Sequence, residues 1–79
     1  MLFLIEYDRQ KGQIVTMSSF PDYERVKAEE ARLRLELNLN ADGIENEVVL
    51  LEASGEDALR RTHRRYFEDL SELITEAAN

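Results

Sequence analysis

Leu2-Phe3-Leu4-Ile5-Glu6-Tyr7 limits what this chain can become more than any other stretch. A run this apolar, closed by the turn residues Asp8 to Gly12, reads as the central strand of a small sheet. It cannot leave both of its faces in water, so later parts of the chain have to cover it.

Size and composition narrow the ways of doing so. Seventy-nine residues make one domain, and a chain of that length buries only roughly 60 to 65% of its unfolded surface. Without cysteine there is neither a disulfide framework nor a thiolate metal site, so stability has to come from packing, including packing against a second copy. A reducing cytoplasm is the expected location. The apolar start is too short for a signal peptide and no basic segment precedes it, and nowhere do eighteen apolar residues run together, so no membrane contact is expected. Seventeen acidic residues against ten basic ones give a formal net charge of −7. Nucleic acid and anionic lipid are repelled over about a Debye length, roughly 8 Å, and a nucleic-acid role would need a local basic patch.

Gly12 suits the left-handed position that closes a hairpin through a type I turn and a G1 bulge, and Gln13 to Ser18 forms a second, more polar strand fit for a sheet edge. Phe20-Pro21-Asp22 changes the period. Pro21 fits a first helical turn, Asp22 and Glu24 favour a helix N-terminus, and strong helix formers continue from Asp22 to Asn40, where Asn40-Ala41-Asp42-Gly43 forms a C-cap. At 100° per residue this helix carries two apolar stripes: Tyr23, Val26, Leu33 and Leu37 on one side, and Ala28, Ala31, Leu35 and Leu39 on another. One stripe lies on the sheet. The other needs a different partner, and the two alanines let a second helix approach closely.

Val48 to Ala53 forms a third strand, apolar on both faces. Ser54 is placed to cap the next helix, with Asp57 answering in the manner of a capping box, a cap worth about 1 kcal/mol. That last helix runs from Glu56 to Ala77 with a stripe of Leu59, His63, Tyr66, Leu70, Leu73 and Ala77. The fold class is therefore α+β: a two-layer ββαβα domain whose three-stranded antiparallel sheet has the order 2-1-3. Three strands at about 4.8 Å spacing are too narrow for two helices side by side. Either one helix lies on each face, or both share one face with the sheet extended or its bare face covered by a second chain. The doubled stripe of the first helix favours two long helices on one face of the sheet. The opposite face would then expose Leu2, Leu4, Val15 and Met17, and a symmetric homodimer through that face or through a sheet edge is the expected cover.

Candidate chemistry is sparse. His63 and Tyr66, one turn apart, could form a pocket between sheet and last helix, with the imidazole as general base; the plainer reading is a packed, hydrogen-bonded histidine. Arg60, Arg61, Arg64 and Arg65 form the one basic cluster. It reads either as a docking patch for phosphate or an acidic partner, or as a solvated helix face laced by pairs such as Glu56 with Arg60, Asp57 with Arg61, Arg64 with Glu68 and Arg65 with Asp69. No metal loop, phosphate loop or nucleophile motif is present, and no cofactor is implied. The sequence points first to a small interaction or accessory module that self-associates and presents a helix surface to a protein partner. A ligand-binding or catalytic dimer using His63 and Tyr66 is the alternative, and a nucleic-acid binder comes third.

Overall fold

A computed structural model of the chain describes residues 1–68. Its strands are β1 (Leu2–Asp8), β2 (Gln13–Phe20) and β3 (Glu47–Glu52), in the order β2-β1-β3, and both pairings are antiparallel. The apolar opening strand is central, as its composition demands. Leu2 to Tyr7 are all buried, whereas β2 is mostly exposed. In the β1–β2 hairpin Gly12 has φ 65 and its N–H donates to the Asp8 carbonyl at 2.8 Å. The Asp8 carboxylate accepts the amides of Gln10 and Lys11 at 2.9 and 3.0 Å, closing the loop in the way short acidic side chains favour. The register slips between Glu6, opposite Thr16, and Tyr7, opposite Ile14, which makes Val15 the extra residue. The bulge thus lies inside β2.

A 3-10 turn at Asp22–Glu24 leads into α1 (Arg25–Ala41). The helix stops as its last residues suggest: Gly43 takes φ 70, the Ile44 amide donates to the Leu39 carbonyl at 2.9 Å and the Gly43 amide to that of Asn40 at 3.2 Å. These two reversed hydrogen bonds satisfy carbonyls that the helix end leaves open.

The second helix departs from expectation in length and in cap. α2 covers only Glu56–Thr62, and its N-cap is Gly55 with no side-chain hydrogen bond, so the Ser54 and Asp57 capping box does not form. At His63 (φ −126, ψ 52) the backbone leaves the helix and a 3-10 turn follows at Arg64–Tyr66. The Thr62 hydroxyl donates back to the Ala58 carbonyl at 2.9 Å, the local competition by which threonine weakens a helix end. The break lets Tyr66 swing onto Tyr7. The remainder of the expected helix, with Leu70, Leu73 and Ala77, lies outside the described residues.

The two helices also lie on opposite faces, not together. Phe3, Ile5 and Tyr7, the odd-numbered side of β1, form one buried cluster with Leu59 of α2 and Tyr66 of the following turn. Arg25 at the start of α1 instead reaches Glu52 at 3.4 Å, and Glu52 pairs with Leu2 on the even-numbered side. Leu2 and Leu4 are 1% and 7% exposed, covered by α1 through the stripe that contains Ala28 and Leu39. Ala28 is fully buried and brings α1 close to the sheet, and among the described residues α2 lies on the other face. The molecule measures 45 × 33 × 12 Å. A sheet too narrow for two helices has one on each side.

Candidate functional site

The densest polar cluster lies where β1 ends and β3 begins. Register sets Glu47 directly opposite Tyr7, so its carboxylate points to the odd-numbered face, among aromatic rings. Its side chain is only 12% exposed. The Tyr66 hydroxyl donates to Glu47 Oε2 at 2.6 Å, Arg9 donates through Nε and Nη2 to Oε1 at 3.1 and 2.7 Å, and Arg65 Nη2 reaches both oxygens at 3.2 Å. Around this carboxylate Tyr7 and Tyr66 meet edge to face at 5.1 Å, the Arg65 guanidinium lies 4.6 Å over the Tyr66 ring, and the Tyr7 hydroxyl donates to the Arg65 carbonyl at 3.3 Å.

The electrostatics decide what this cluster can do. The hydrogen bond from Tyr66, with the hydrogen bond from Arg9 and the charges of Arg65 and Arg9, holds the Glu47 carboxyl below its ordinary range against the opposing effect of burial. Burial first, and then the bond to Glu47, pushes the Tyr66 phenol above its ordinary value. At neutral pH Glu47 is thus ionised and Tyr66 is neutral with its proton engaged. A carboxylate with no proton to give and a phenol that holds its proton more tightly than usual make a poor acid–base pair. The arrangement instead clasps the hairpin loop, β3 and the last turn together. Across the sheet, Glu6 is 7% exposed and accepts a hydrogen bond from Asn46 Nδ2 at 2.7 Å.

Tyr66 accordingly belongs to this clasp. His63 is half-buried at the end of α2, where its backbone amide donates to the Leu59 carbonyl. The arginines separate into different roles. Arg60 pairs with Glu56 at 2.9 Å and lies 4.7 Å over the Phe67 ring, Arg64 pairs with Glu68 at 2.9 Å, and Arg65 serves Glu47. Arg61 makes no ion pair among the described residues, and the Asp69 partner proposed for Arg65 lies outside them. Leu2 and Leu4 are buried under α1, Met17 sits on the other face against the aromatic cluster, and Val15 is 52% exposed at the bulge. These four do not form one surface, because Leu4 stands opposite Ser18 while Met17 stands opposite Ile5.

Glu47, Arg9 and Asn46 are the site residues that the sequence reading missed. The available signal was parity: counted in steps of two from Val49 and Leu51, Glu47 is an acid at an inward-facing position. A cleft of about 570 Å³, lined by Asp8, Arg9, Gln10, Ile44, Glu45 and Asn46, opens beside the clasp. Among the described residues no group of three or more histidines and acids is placed to hold a metal ion, and no helix is long and apolar enough to cross a membrane.

A second feature is the outer side of α1. Val26, Leu33 and Leu37 are 72%, 57% and 59% exposed, and Tyr23, in the 3-10 turn before the helix, is 88% exposed. At 100° per residue this stripe points about 180° away from the one that lies on the sheet. Comparison with known proteins finds no matching family model, no matching curated protein and no matching solved structure.

Proposed function

We propose that this chain is an interaction module that acts by binding, and that it pairs with a second copy of itself through the outer face of α1. The observation that carries this reading is the exposed stripe of Val26, Leu33 and Leu37 on a regular helix. An ordinary surface helix is polar on the side away from its sheet, and a row of large apolar side chains there gains by being covered. Closed two-fold pairing is the commonest cover for such a self-complementary patch. The polar clusters support binding over chemistry, since the groups best placed to move protons are committed to one another.

The reading is tested by sedimentation equilibrium of the full chain over a range of micromolar concentrations. A species of twice 9.2 kDa that reverts to the monomer in Leu33→Lys, with an unchanged far-ultraviolet spectrum, is the expected result. A monomer throughout the range, or a dimer indifferent to Leu33→Lys, overturns it.

A further inference from the structure

Self-association through α1 leaves the relative direction of the two helices open, and the charges beside the stripe choose it. Val26, Glu30, Leu33 and Leu37 follow one another at spacings of four, three and four residues, the seam of a two-stranded coiled coil, with Val26 and Leu33 at d positions and Glu30 and Leu37 at a positions. The residues before each a position are Glu29 and Glu36; those after each d position are Lys27 and Arg34. One flank of the seam is therefore acidic and the other basic.

Two helices running antiparallel bring like flanks together, Glu29 towards Glu36 and Lys27 towards Arg34. Parallel helices bring unlike flanks together, and a residue on the acidic flank then faces the residue five further along the other chain, which for Glu29 is a base and for Glu36 is Ala41. Glu29 and Arg34 have that separation. They are also exposed and make no ion pair among the described residues, while their neighbours are engaged within the chain: Arg25 with Glu52, Lys27 with Glu24, and Arg32 with Glu36.

We propose that two copies pair in parallel and in register about an axis running along α1, with Glu29 of each copy against Arg34 of the other. This rests on α1 being the self-association face. The sheets lie on the far sides of the two helices, clear of each other, because the stripe points directly away from the sheet. Glu30 is the charged residue of the seam, and in register the two Glu30 carboxylates meet across it, a like-charge contact that costs affinity. Glu30 precedes Arg34 by one turn, near enough for its carboxylate to turn out of the seam toward that guanidinium when the pair forms.

Two single variants and their mixture test the arrangement, with dissociation constants measured by sedimentation and folding checked by far-ultraviolet circular dichroism. Glu29→Arg sets two arginines against each other twice per dimer, and Arg34→Glu does the same with two glutamates; each weakens pairing by about tenfold at low salt. An equimolar mixture restores pairing as a heterodimer, since every cross pair is then attractive. Glu29→Arg that tightens the dimer indicates antiparallel helices and overturns the parallel arrangement while leaving α1 as the interface. No response to either variant overturns it as well. A wild-type chain that stays monomeric ends the self-association reading itself.

Discussion

On the odd-numbered face of the sheet, Phe3, Ile5 and Tyr7 are closed over by a seven-residue helix and a short turn, whereas the even-numbered face sets Leu2, Leu4 and Glu6 beneath a helix of seventeen residues. The short cover works through a few large side chains. Leu59 is fully buried, Tyr66 meets Tyr7 edge to face, and Glu47 bonds the Tyr66 hydroxyl. The long cover works through proximity, with Ala28 fully buried against the sheet, Leu39 buried near the helix end, and Val26, Leu33 and Leu37 turned outward. Economy of chain length on one side concentrates stabilisation in single residues; length on the other side spreads it along a helix and leaves an apolar stripe free to bind.

The sharpest way to break this contrast is Leu59→Ala. Leu59 is fully buried among Phe3, Ile5, Tyr7 and Tyr66, so the cost is expected near about 2–5 kcal/mol by urea denaturation, and a loss below 1 kcal/mol would show that the short element bears little of the stability. On the other face the sensitive change is enlargement. Ala28→Leu should cost about 1–3 kcal/mol through overpacking, while Leu37→Ala on the outer side of the same helix should leave monomer stability almost unchanged in a thermal melt.

The clasp at Glu47 comes next. Glu47→Ala leaves the buried Tyr66 hydroxyl without its acceptor, a loss of about 1–3 kcal/mol, whereas Tyr66→Phe removes one hydrogen bond and costs about 1 kcal/mol. Because the folded protein lowers the Glu47 pKa from 4.5, its contribution is complete above that value and is lost as pH falls through the lower folded value. Tyr66 is raised from 10.0, so its contribution is complete below that value and is lost as pH rises through the higher folded value. Denaturation midpoints followed against pH in Glu47→Gln should show a flatter acid limb than in the wild type. The smallest expected effect is Ser54→Ala, within about 0.5 kcal/mol, since Ser54 makes no cap; a loss near 1 kcal/mol would restore the capping box.

Much of the fold is legible in residue order. The apolar run at Leu2 to Tyr7, the glycine at 12 and the apolar run of Val48 to Leu51 fix a central strand, a hairpin and a third strand, because a short apolar run between turn residues suits a covered strand and a left-handed turn needs glycine. The end of α1 at Gly43 is equally local. The candidate site is less legible. Glu47 gains its meaning from Tyr66, Arg9 and Arg65, which are distant in sequence and meet only when β3 is in register beside β1.

The sequence by itself determined the elements up to β3, their order in the sheet and the two stripes of the long helix, since each follows from spacing along the chain. Tertiary structure decided which stripe faces inward, where the last helix stops and that the helices lie on opposite sides. Those outcomes depend on competition for one narrow surface. Ala28 permits a closer approach to the sheet than Leu33 would, and Tyr66 gains more against Tyr7 and Glu47 than it would by continuing a helix. No count of periods along the chain contains that comparison.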